Sequence, residues 1–570
     1  MAGLGLGLGL GLGGWWWGGG EVAAEVEMEV AVAGAGEVEV AGEVEVSDGL
    51  PFGGACRFRA LSTRTGLLHA VPDEGSLSPS AARGPHIRPL MTPPQTALFL
   101  TPLSERVWWR WIIVLAVGFG LVAVGAPAGI SDTGWRVLAI FAATIVGSVL
   151  RPAPAGAVVF FGVCAMAATR TMTPAEALKG YADPVVWLVL CAFFISRGVV
   201  KTGLGRRIAF VLIRALGKKS LGLAYALGTT DVLLATIIPS NSARAGGIIF
   251  PIARSLAEAY ESTPGATRRR LGAYLMQTVY QCDVIACAMF LTGQASNVLI
   301  ARFALEVTGT ELTYARWMLG GVVPGVVALL LVPWVLFRVF PPEVRETPHA
   351  AELGQTELDR MGPMGRGEKL MLAVFGLVAL LWMTPGIHKI HYAVVALLGV
   401  SALLVAGVIE WEDVITERQG FDVFIWYGGL VRMAEALGET GITKRFAEVA
   451  ASWTVGWSWA PALAILVIVY FYAHYGFASI TAHATAMFTP FLVVSLAAGA
   501  PPQLAVLALA TASNLDASLT HYGTTHSPIY FGARYLTQRE WWRLGFIASL
   551  VTLGTWATVG VAWWKLLGWW

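Results

Sequence analysis

Charge is scarce in this chain: Asp, Glu, Lys and Arg make up 13% of its 570 residues, about half the usual share of roughly 25% in soluble domains. Hydrophobic residues reach 56% and the mean hydropathy is +0.64. A string of soluble domains is thereby excluded, and a polytopic membrane protein is implied. The 39 basic and 37 acidic side chains nearly cancel, to +2, and gather in short clusters between uncharged runs. That pattern excludes a nucleic-acid binder. Cysteine is also sparse. Cys56, Cys164, Cys191, Cys282 and Cys287 form no CxxC pair and lie far from any ligand spacing, so neither a disulfide framework nor a metal site is expected. No nucleophile elbow and no HExxH are present, which argues against an enzyme.

Residues 1–105 differ from the rest: a Gly-Leu alternation, Trp15 to Trp17, Glu-Val repeats through Val46, then a Pro/Ser/Arg-rich stretch. The start has no basic n-region and no continuous apolar core, which excludes a signal peptide. This segment is read as low-complexity and disordered, with no fold assigned and Met91 as an alternative beginning.

From Trp111 onward the uncharged runs supply about eleven spans and two re-entrant hairpins, since a core ~30 Å thick needs about 20 helical residues. The expected organisation is a first half at 106–340 with a hairpin near 220–258, a linker at 341–368, and a second half at 369–570 with a hairpin near 456–498. Arg206, Arg207, Arg214, Lys218 and Lys219, then Arg268 to Arg270, then Arg345, Arg360, Arg366 and Lys369 mark one face. By the positive-inside rule that face and the N-terminus are cytoplasmic, in a cell membrane of bacterial inner-membrane type.

The chain repeats itself. Asp183 and Asp422, Trp187 and Trp426, Ser240 and Ser479, and Pro251 and Pro490 are all separated by 239 positions, and Thr202-Gly203 lies 238 before Thr440-Gly441. Copies separated by an odd number of spans face opposite ways, the inverted-repeat architecture of secondary transporters.

In each hairpin, apolar arms surround a polar tip, Pro239-Ser240-Asn241-Ser242 in the first and Ser479-Ile480-Thr481 in the second. Pro239 cannot continue an arm, while the Ser and Asn side chains can cap the next helix and aim its free N–H groups at mid-membrane depth. Helix N-termini with such donors suit carboxylates, and two opposed tips suit a molecule carrying two of them. The plainer reading is that Ser and Thr only satisfy their own helices. After each hairpin the next helix is interrupted, at Thr292-Gly293-Gln294-Ala295-Ser296-Asn297 and at Tyr522-Gly523-Thr524-Thr525-His526-Ser527. Unwound carbonyls there can line a cavity, with packing glycines as the alternative. Arg244 and His483 each stand four residues after the first Ser of their tip. They are read as charge-compensating groups that replace a bound cation, with a structural pair to Asp231 or Asp283 as the alternative for Arg244. On that reading an empty site would carry unbalanced positive charge, so the carrier would cross only when loaded.

Pro239-Ser240-Asn241-Ser242-Ala243-Arg244-Ala245-Gly246-Gly247 and Leu519-Thr520-His521-Tyr522-Gly523-Thr524, with Ile529-Tyr530-Phe531-Gly532 after it, resemble motifs of the divalent anion:sodium symporter family. The likeness is to its branch of 2-oxoglutarate/malate translocators and citrate/succinate antiporters, and it runs from Val107 to the C-terminus. The resemblance implies an all-α homodimer whose subunits move di- or tricarboxylates by an elevator-like shift. It also implies that Ser240, Asn241, Ser242, Ser479 and Thr481 hold substrate carboxylates, with Gly293, Gln294, Asn297, Gly523, Thr524 and Thr525 lining the rest. The second tip lacks the Asn of sodium-coupled members, so a sodium-independent exchanger without cofactor is expected. A sodium-coupled symporter is the first alternative, with an intramembrane hydrolase or a channel further off.

Overall fold

The computed structural model describes residues 108–454, 456 and 458–570, together with six short strands nearer the N-terminus. Two compact units divide the chain, Met1–Thr101 and Pro102–Trp570. In the first, the strands pair antiparallel as a ribbon of Trp15–Trp17 with Gly20–Val22 and a meander of Ala24–Ala33, Glu37–Val46, Cys56–Ser62 and Leu68–Pro72. The alternating Glu-Val register has the period of a strand. The expected disorder of 1–105 falls for the rest on positions outside the described residues.

The second unit is all-α. In its first half α1 (Trp108–Val124), α2 (Asp132–Leu150) and α3 (Ala155–Ala168) precede α4 (Pro174–Leu178), α5 (Pro184–Thr202), α6 (Leu204–Leu216) and α7 (Ser220–Ala235). Then come a π-helical turn at Ser242–Ile249, α8 (Phe250–Ala259), α9 (Gly272–Met289), α10 (Ala295–Thr308) and α11 (Tyr314–Val339). The linker holds α12 (Pro348–Met361). Beyond it lie α13 (Arg366–Met383), α14 (Pro385–His388), α15 (Tyr392–Val405), α16 (Trp411–Ile415), α17 (Arg418–Glu439), α18 (Ile442–Trp453) and α19 (Trp459–Ala473). The chain closes with α20 (Ile480–Ala497), α21 (Pro502–Leu515), α22 (Ser527–Gly532), α23 (Gln538–Thr555) and α24 (Val561–Leu566).

The repeat is visible element by element, because α4 to α11 recur as α16 to α23, with the first π-helical turn and α8 matched by α20, and α24 continuing α23. Each first long helix of a repeat ends in the same way: Gly203 takes φ +77° after α5, and Gly441 takes φ +77° after α17. Only glycine enters that left-handed region without strain, so the Thr-Gly dipeptides recur because the chain must turn there. The amphipathic α6 and α18, of 13 and 12 residues, follow both turns. Counting α9 with α10 as one interrupted passage, the chain passes through α5, α9–α10, α11, α13 and α15 between the start of α5 and the start of α17. Five is odd, so the halves are inverted.

At the centre runs α9, every residue of which is buried. It packs on α21 and on the turn that follows it, where Tyr280 Oη donates to the Ala517 carbonyl at 2.7 Å and Gln281 Nε2 to that of Ser518 at 3.1 Å. Outward-facing side chains are apolar as well: Val405 is 91% exposed and Phe119 72%. In water such faces would aggregate, whereas in lipid they are solvated. Arg207 ties the linker and α13 to the first half, Nη1 donating to the Gly362 carbonyl at 2.9 Å while Nε and Nη2 clasp the Glu368 carboxylate at 2.7 and 3.0 Å.

Candidate functional site

Both tips are built by the same capping interaction. Ser240 Oγ accepts from the Ala243 amide at 3.1 Å, and Ser479 Oγ accepts from the Ala482 amide at 3.4 Å. These hydroxyls satisfy their own helices, the plainer alternative read from the sequence, and Ser240 also donates to Gln419 Oε1 at 3.1 Å. Asn241 Oδ1 accepts from the Ser242 amide at 2.9 Å. Ser242 and Thr525 come together, hydroxyl to hydroxyl at 2.5 Å, so the first tip closes on the second break. Thr481 is half-buried in the first turn of α20.

At the first break Asn297 Nδ2 donates to the carbonyls of Cys287 and Phe290 at 2.8 and 2.9 Å, holding the ends of the unwound segment together. Gly293 is pressed against α9, where a Cβ would stand 2.5 Å from the Cys287 carbonyl oxygen. Gln294 is buried, and its Nε2 has no partner among the described residues. In the second break Thr524 Oγ1 is bound within its own turn, accepting from the Ser527 amide at 3.0 Å and meeting Ser527 Oγ at 2.8 Å.

Arg244 makes the pairs with Asp231 and Asp283 that the sequence left open as an alternative. Its side chain is fully buried and all five N–H donors are used. Nε binds Asp231 at 3.1 Å. Nη1 binds the carbonyls of Ile238 and Gly293 at 2.7 and 2.6 Å, and Nη2 binds Asp283 at 2.9 Å and Cys287 Sγ at 3.4 Å. The guanidinium therefore fastens both arms of the first hairpin to the first break, and its single positive charge faces two carboxylates. His526 Nε2 lies 2.8 Å from the other oxygen of Asp283, extending the network to the second break. An unbalanced positive charge is not what this geometry contains.

His483 is likewise matched, with Nδ1 2.8 Å from Asp516 Oδ2. His474, at the end of the outgoing arm, places Nδ1 3.6 Å from Asp516 Oδ1 while its Nε2 lies 3.2 Å from the Gly523 carbonyl. A Cβ on Gly523 would stand 2.6 Å from that nitrogen, so this glycine admits the histidine. The halves thus use one plan. Arg244 holds the carbonyl of Gly293, and His474 holds that of Gly523, 230 positions later.

A family model described as the sodium:sulfate symporter transmembrane region matches residues 105–570. The chain belongs to this sodium:sulfate symporter family, the divalent anion:sodium symporters. The Bacillus subtilis protein YflS is 44% identical over 477 residues, covering 84% of this chain and 98% of that one. The chloroplastic dicarboxylate transporter 1 of Arabidopsis thaliana is 43% identical, covering 80% and 82%. The L-tartrate/succinate antiporter of Shigella sonnei is 32% identical, covering 81% and 99%. Membership makes the chain a multi-pass membrane transporter rather than an enzyme.

Two contributions to this site escaped the sequence. Gln419 reaches the first tip from the start of α17, 179 positions away, and nothing in its neighbourhood marks it as polar machinery. Cys287 looked like one more scattered thiol, yet it and its carbonyl join Arg244 and Asn297. The signal for Asp231 and Asp283 was present, since an acid inside an apolar run demands a partner.

Proposed function

We propose that this protein exchanges dicarboxylates across a cell membrane without sodium, each substrate held between the two hairpin tips and the two breaks. The observation that carries the reading is the Arg244 guanidinium at the carbonyls of Ile238 and Gly293. Unwound carbonyls at this depth are the ligands that a small cation takes in inverted-repeat transporters, and here a permanent cation of the chain engages them. Sodium has no role left at that point. The names of two relatives, a dicarboxylate transporter and an L-tartrate/succinate antiporter, support the substrate class and exchange. Among the tip and break residues, Ser242 with Thr525 and the free amide of Gln294 are best placed to meet carboxylates. The assembly is a homodimer in this reading, and the membrane a bacterial inner membrane with the N-terminus cytoplasmic. Counterflow in proteoliposomes tests it: internal malate should drive uptake of labelled succinate, malate, 2-oxoglutarate, tartrate or citrate. Absence of exchange with every one of these acids would overturn the assignment.

A further inference from the structure

The second hairpin contains something its counterpart lacks. His474, His483 and Asp516 offer one ligand atom each, all within 4.8 Å of one another and all buried. Five polar atoms of this cluster have no hydrogen-bond partner among the described residues: His474 Nδ1, both ring nitrogens of His483 and both carboxylate oxygens of Asp516. Buried polar atoms are rarely left so, and five on three touching side chains are a concentration that asks for a common partner. The distances His483 Nδ1 to Asp516 Oδ2 of 2.8 Å and His474 Nδ1 to Asp516 Oδ1 of 3.6 Å bring the groups together, yet neither contact is aligned as a hydrogen bond.

We infer that these three side chains form a binding site for a divalent transition-metal ion such as Zn2+. Zinc holds N and O ligands at about 2.0–2.2 Å, which sets neighbouring ligand atoms roughly 3.3–3.6 Å apart, within small shifts of the distances here. Two imidazoles and one carboxylate are a donor set for zinc and its neighbours, and three protein ligands leave a fourth position open. The second independent sign is the tautomer of His474. With Nε2–H directed at the Gly523 carbonyl, its Nδ1 carries a lone pair turned toward Asp516, the arrangement in which a backbone carbonyl orients a metal-binding histidine. Two neutral rings pack on His483: Tyr470, at 4.4 Å and hydrogen-bonded to Ser513 at 2.7 Å, and Phe477 at 4.9 Å. The three side chains hold no fixed cation among them, unlike the Arg244 network; at the second tip a fixed cation, Arg151, donates instead to the Ala478 carbonyl at 2.7 Å. A bound ion would join α19, α20 and the break after α21, as the guanidinium joins the corresponding elements of the first half, and would slow any opening of the second hairpin.

The test uses the full-length protein, stripped of metal and purified in detergent. One equivalent of Co2+ should produce the intense visible bands of a four-coordinate site, Zn2+ should abolish them, and Zn2+ should raise the unfolding temperature. His474→Gln, His483→Gln and Asp516→Asn should each lose both signals, while Asp516→Glu, which keeps a carboxylate, should retain them. His349→Gln, at an exposed His–Glu352 pair, should be unaffected. In proteoliposomes Zn2+ should inhibit exchange reversibly with EDTA, and any of the three site variants that still exchanges should need at least ten times more. Wild-type protein without a Co2+ spectrum would overturn the inference, as would a spectrum that survives any of the three site substitutions or vanishes in His349→Gln. These readouts report metal binding, so their failure leaves the transport reading standing.

Discussion

The two hairpins have one architecture and different locks. In the first, Arg244 bridges Asp231, Asp283 and the carbonyls of Ile238 and Gly293. In the second, the position 239 residues after Asp231 is Tyr470, the position 230 after Asp283 is Ser513, and these two hydrogen-bond directly at 2.7 Å. His483 stands in the place of Arg244, and its carboxylate partner has moved to Asp516. The first lock has a fixed charge that no change of pH removes; the second is assembled from groups that protons or metals can alter. One half of the transporter is therefore bolted and the other is adjustable.

Removing the fixed charge should have the largest effect. Arg244→Gln leaves two buried carboxylates without their counter-ion, a loss of about 3–5 kcal/mol. The unfolding temperature in detergent should fall sharply and exchange should disappear; an unchanged melting curve would show that the guanidinium is not the bolt. Next comes the asymmetry between the breaks. Gln294 has a free amide, whereas Thr524, 230 positions later, is satisfied by Ser527. Gln294→Ala should therefore weaken substrate affinity about tenfold to a hundredfold, the value of a hydrogen bond to a charged group of about 1.5–3 kcal/mol. Thr524→Ala should lower thermal stability with little change in affinity, and equal losses of affinity in both would remove the distinction.

Replacing His483 by Gln should cost less stability than replacing Arg244, because Asp516 keeps His474 beside it and can take up a proton. A larger loss than that of Arg244→Gln would reverse the account of the two locks. The smallest effect lies where the halves meet at the surface. Lys201 Nζ binds Asp413 at 2.7 Å, and this contact, with a backbone hydrogen bond at Glu410, holds the Asp413 carboxyl below its usual range. A carboxyl depressed in the folded state adds stability above its unfolded value, about 3.9, and loses it as pH falls through the folded one. Asp413→Asn should thus narrow the stability difference between neutral and strongly acid buffer slightly, and an enhanced acid sensitivity would contradict the sign.

Much of this plan was legible in the residues. The offset of 239 located both capping serines, and the Thr-Gly dipeptides marked two left-handed turns, because local backbone requirements leave local signatures. Arg244 was singled out by position and its two acids were named as alternatives, yet its full set of partners was not readable. Asp283 lies 39 positions away and Gly293 offers only a backbone oxygen, so the set exists only once α9 has packed. The same holds for His474. Its partner Asp516 is brought beside it only by folding.

A carrier whose own arginine makes sodium unnecessary should exchange one carboxylate for another whatever the cation outside. Uptake of a labelled dicarboxylate into proteoliposomes, with and without internal malate and with external sodium replaced by choline, tests it directly. The account predicts uptake that requires internal malate and is the same in sodium and in choline. Net uptake into malate-free vesicles driven by a sodium gradient would contradict it.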